Sequence, residues 1–114
     1  GEALSNLYVG MCRYLRGERW SAAIFVQSHA LHRVADILVQ QPGGDESGRD
    51  PYTIDRRFES RHPEASELFA RCMQGYERTP ESALEILGFL EGRCDVSPVI
   101  AAEIRRLCAQ AGDS

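Results

Sequence analysis

The sequence predicts an all-α protein, an antiparallel bundle of about five helices in up-and-down topology. Three observations predict it. Apolar residues recur at steps of three and four through most of the chain, the spacing of one helix face. No segment of any length alternates apolar and polar residues with period two, as a half-buried strand would. Glycines, prolines and capping residues cut the chain into helix-length pieces joined by short connections.

The elements follow in order. From Ala3 to Arg16 the apolar positions are Leu4, Leu7, Tyr8, Met11, Tyr14 and Leu15, and Gly17 reads as the stop. A second helix restarts at Trp20-Ser21 and runs to about Gln41, ended by Pro42-Gly43-Gly44. It is the longest and most apolar, which places it centrally. The stretch Pro42 to Tyr52, rich in Gly, Asp, Ser and Pro, is a long loop. "TIDRRFESR" then makes a short helix with Ile54 and Phe58 facing inward. Pro63, Glu64 and Glu67 open a third long helix, whose stripe is Ala65, Leu68, Phe69, Cys72, Met73 and Tyr76. A fourth starts with Thr79 as N-cap and Pro80 at the first turn and closes at Gly92. A fifth repeats the device with Ser97 and Pro98 and buries Ile100, Ile104, Leu107, Cys108 and Ala111.

At 114 residues the chain fits a single helical domain spanning residues 1–114. It holds no run of about 20 apolar residues, the length of a membrane span, and no basic-then-apolar start. The expected location is the cytoplasm, with no membrane partner. A net charge of −4 argues against nucleic acid as a partner, since domains that wrap its backbone are usually basic. All 13 basic residues other than histidine are arginine, which reads as the codon composition of a GC-rich genome; the bidentate fork of arginine also suits phosphate and carboxylate, a reading that needs a cluster in the right place. Cys12, Cys72, Cys94 and Cys108 form no C-x-x-C pair, and three of them fall on apolar stripes, so they read as core residues rather than metal ligands. Phosphate-loop, dinucleotide-fold, nucleophile-elbow and H-E-x-x-H motifs are all missing. The chain does not read as a complete catalyst, and no metal is expected.

The candidate functional residues lie in two places. In the central helix, Trp20, Ala23, Gln27, Ala30, Val34 and Ile37 follow one another at helical steps, so Gln27 falls within an apolar stripe. A buried amide there must find partners or cost about 1–3 kcal/mol. Ala22, Phe25, His29, His32 and Asp36 make a second stripe, with Arg33 one turn from His29 and three residues from Asp36. Either these groups bond to neighbouring helices, or they line a cleft. The second place is "RDPYTIDRRFESRHPE", where Arg56, Arg57 and Arg61 crowd Asp55 and Glu59. It is either a solvated face or a segment in which one arginine reaches the central helix or a phosphate, anchored by Glu59.

"YLRGERWSAAIFVQSHALHRVADIL" and "DPYTIDRRFE" together resemble the C-terminal helical domain of bacterial nucleotidyltransferases of the lincosamide- and aminoglycoside-adenylylating type, over roughly Leu4 to Glu91. The resemblance implies an accessory substrate-binding domain that packs on a catalytic module, shapes the acceptor cleft and supplies a dimer contact. In that family catalysis sits in an N-terminal α/β module, with a Gly-Ser turn and paired aspartates that bind magnesium and the nucleoside triphosphate. This chain contains neither element, so it carries no catalytic residue and no cofactor of its own. Magnesium and the triphosphate belong to the parent enzyme, and the partner is an N-terminal or separate catalytic module. The residues the resemblance places at the cleft are Gln27, His29, His32, Arg33, Arg56, Arg57 and Glu59. Two alternatives stand beside it. One is a non-catalytic helical interaction or homodimerisation protein. The other is a stand-alone enzyme using His29 or His32 as base.

Overall fold

In the computed structural model, residues 2–40 and 57–112 are described, and among them there is no strand. The fold is an all-α bundle. Helix α1 (Glu2–Leu15) inserts Leu7 and Met11 fully into the core. It ends where Gly17 takes φ 90°, a conformation that costs glycine little. The central rod then runs unbroken from α2 (Arg19–Ile24) through a π-helical segment (Phe25–Ala30) into α3 (Leu31–Val39). Two shorter helices follow, α4 (Phe58–Arg61) and α5 (Ala65–Cys72). A 3-10 turn (Tyr76–Arg78) leads into α6 (Thr79–Arg93), and α7 (Pro98–Gly112) closes the described chain.

The core is one cluster. Leu7 and Met11 meet Val26, Val34 and Leu38 of the rod, Ile86 and Leu87 of α6 and Ile104 of α7, all essentially without solvent contact. Each such side chain contributes about 1.5–3 kcal/mol of hydrophobic stabilisation. Gly10 permits a close helix approach. A Cβ there would stand 2.6 Å from Val26 Cγ2 and 3.2 Å from Phe25 Cβ, so α1 lies directly against the π segment.

Several sequence expectations are corrected. The π segment closes i→i+5 bonds, and the predicted stripe stays buried through it at Gln27, Ala30 and Val34 but not at its ends. The buried face of the rod is Ala22, Val26, Gln27, Ala30, Leu31, Val34, Ala35 and Leu38, and Trp20, expected inside, is 75% exposed. The third long helix is shorter than its apolar stripe. It stops at Cys72 because Gln74 N–H donates to Ser82 Oγ at 2.9 Å and Gly75, at φ 111°, is held by Gln27. Met73 and Tyr76 therefore point outward, 53% and 57% exposed. Thr79 is the first residue of α6 rather than its cap, and its hydroxyl accepts a bond from Gln27. Ser97 does cap α7, accepting from Ile100 N–H at 3.4 Å. That helix is rotated so that Ala101 faces inward and Ile100 is exposed. Tyr8 is likewise exposed. Ile54 and the predicted long loop lie outside the described residues. No helix among the described residues is long and apolar enough to cross a membrane.

Candidate functional site

Gln27 answers for the buried amide in the rod. Its Nε2 donates to Gly75 O at 2.7 Å and to Thr79 Oγ1 at 3.0 Å, and its Oε1 accepts from Gly75 N–H at 2.9 Å. Both amide hydrogens are spent, so the group keeps no donor for a ligand. It works as a clasp that ties the π segment to the chain linking α5 and α6. Tyr14 strengthens the same join, donating from its hydroxyl to Glu77 O at 3.4 Å.

Beside the clasp lies a cleft of about 310 Å³. One wall is the central rod, with Gln27, Ser28, Leu31, His32 and Ala35. The other is formed by Phe58 and Glu59 of α4, Phe69 of α5 and Met73 just beyond it. Phe58 is almost wholly buried and stacks on Phe69, with ring centroids 5.6 Å apart, and on His62, at 4.7 Å. Arg61 lies 5.8 Å above the same ring. The apolar wall is thus a packed aromatic layer, while Ser28, His32 and Glu59 supply the polar groups.

The predicted site residues divide. Gln27, His32 and Glu59 meet at this cleft. Arg33 does not join them. It pairs with Glu2 at 3.3 Å and with Asp36 at 3.1 Å, lining a separate cleft of about 230 Å³ between the start of α1 and the end of α6. His29 is exposed and meets Phe25 edge to face at 5.2 Å, away from both clefts. Arg57 precedes α4 in the left-handed region at φ 58° and is exposed. Arg56 lies outside the described residues. The polar strip read along one helix face is therefore shared between two sides of the rod.

Sequence reasoning missed Phe69, Met73 and the His62–Phe58 stack as parts of this site. Phe69 and Met73 carried the signal of a core stripe, and only the early end of α5 turns Met73 toward the cleft. The four cysteines are free thiols. Burial pushes the Cys72 and Cys108 thiols up to about 11, which keeps them protonated and unreactive at neutral pH. Cys94 is exposed. No group of three or more potential metal ligands converges among the described residues. Comparison with protein-family models, with curated proteins and with solved structures finds no match to this chain.

Proposed function

We propose that the chain is a helical accessory module that holds a small molecule in the Phe58–Met73 cleft for a catalytic partner of the nucleotidyltransferase type. One observation carries the reading. His32 and Ser28 of the central helix and Phe58 and Glu59 of the "RRFE" run, about 30 residues apart in sequence, line one cleft. Pockets for small ligands have this makeup, an apolar lining with a few convergent polar groups. The clasp through Gln27 fixes one end of the cleft, which lowers the ordering cost of binding. In this reading magnesium and the nucleoside triphosphate belong to the partner, and the module contributes acceptor positioning.

The test is reconstitution. Nucleotidyl transfer by the catalytic module is measured with and without this chain, and with the Leu31→Trp variant, which fills the cleft. The expected result is transfer that depends on the chain and is lost in the variant. Transfer that is indifferent to the chain sinks the proposal.

A second reading, a helical interaction or dimerisation protein, is favoured by the exposure of Trp20 and Tyr76. Aromatic side chains of this kind are enriched at protein interfaces. Light scattering across a concentration series, with Trp20→Ala as comparison, separates it from the first. A monomer throughout removes the dimer.

A further inference from the structure

Resting on the cleft reading, we infer that Met73 is a reversible oxidation site whose sulfoxide weakens the hold of the cleft on apolar occupants. The chain has two methionines, and the fold treats them oppositely. Met11 has no solvent contact, whereas Met73 is more than half exposed and lines the cleft with Leu31, Phe58 and Phe69. A peroxide therefore reaches one thioether and not the other. Its terminal oxygen passes to a lone pair of the Met73 sulfur, the O–O bond breaks, and the remainder leaves as the alcohol, or as water from hydrogen peroxide. Methionine sulfoxide reductases reverse the change, two electrons and two protons removing the oxygen as water.

The backbone holds this side chain at the cleft. Met73 N–H donates to Phe69 O at 2.8 Å and Gln74 N–H to Ser82 Oγ at 2.9 Å. Gln27 takes both the N–H and the carbonyl of Gly75. With three successive residues fastened, the change at sulfur falls on the side chain. A thioether is soft and apolar, and its sulfoxide is polar. Inside the cleft the new oxygen stands against Leu31, Phe58 and Phe69, or it reaches Ser28 or His32 and fills the space between the walls. Turned outward, it is solvated by water and takes the side chain out of the lining. Each arrangement costs an apolar occupant part of its burial. Peroxide also reaches the exposed Cys94, which lines the separate cleft beside Arg33.

The test treats the whole chain with tert-butyl hydroperoxide, maps the oxygen by peptide mass spectrometry and reads the cleft by fluorescence titration with N-phenyl-1-naphthylamine, a neutral apolar probe. The expected result is oxidation of Met73 with Met11 spared, and affinity for the probe lowered about tenfold. Methionine sulfoxide reductase should restore both. Met73→Leu should bind the probe and ignore the peroxide, and Met73→Gln should bind weakly without it, each checked for fold by circular dichroism. Oxidation of Met11 in step with Met73, or a loss of binding that persists in Met73→Leu, overturns the site. Oxidised Met73 with unchanged affinity overturns the switch and leaves the cleft standing. No binding by the native chain, or equal binding by Leu31→Trp, overturns this inference and the cleft reading together.

Discussion

Gln27 shows how much one side chain can fasten. Three hydrogen bonds join residues 48 and 52 positions away along the chain, each worth about 0.5–1.5 kcal/mol net. Gln27→Leu strands the Thr79 hydroxyl and the Gly75 peptide, so it should lower stability by about 2 kcal/mol after the leucine recovers some burial. Urea denaturation measures this, and an unchanged midpoint would refute the clasp. The cysteines make a second residue-scale prediction. With Cys72 and Cys108 raised from about 9 to about 11 by burial, iodoacetamide at pH 8 should modify Cys94 and spare these two, as read by mass spectrometry. The sign of the pH effect follows. Below about 9 the thiols are protonated in both states. Between about 9 and about 11 only the unfolded chain releases their protons, so this contribution to stability falls as pH rises through that window.

Among the elements, the helical glycines separate close approach from open space. Gly10 sits where a Cβ would meet Val26 at 2.6 Å, whereas nothing stands within 4 Å of a Cβ at Gly88. Overpacking costs about 1–3 kcal/mol, against a helix-propensity gain of about 1 kcal/mol for Gly→Ala. Gly10→Ala should therefore destabilise by about 1 kcal/mol, while Gly88→Ala should stabilise by about 0.5–1 kcal/mol. Thermal denaturation of the two variants side by side checks the contrast, and a common sign for both shifts would contradict this packing of α1 on the π segment.

For the whole molecule, the exposed apolar side chains are spread over several elements, with Trp20 on α2, Tyr76 on the 3-10 turn and Val99 and Ile100 on α7. Trp20, 75% exposed, should be quenched by iodide almost as efficiently in the folded chain as in the unfolded one. Quenching that falls as protein concentration rises would place a second copy over Trp20. The ion pairs of Arg105 with Glu91 and of Arg106 with Glu103 link or line α6 and α7 at the surface. At that exposure they contribute little to stability, so added salt should barely move the unfolding midpoint.

The sequence by itself determined the helical class, the starts and stops of α1, the central rod, α6 and α7 to within a few residues, and the presence of a buried amide that needed partners. These are local properties: apolar spacing, breakers and the cost of an unsatisfied group act over a few turns of one chain. Tertiary structure decided where that amide bonds, where α5 ends and how the polar strip divides. Gly75 and Ser82 pull residues 73–75 out of a stripe that reads as helix to Tyr76. The buried face runs through the π segment by Val26, Gln27 and Ala30, and leaves Trp20 exposed and Ile37 only partly buried. Arg33 pairs with Glu2 at a cleft separate from the one that His32 lines. Each decision rests on a contact with a residue distant in sequence or on a departure from regular helix geometry, and neither leaves a periodic trace in the residues themselves.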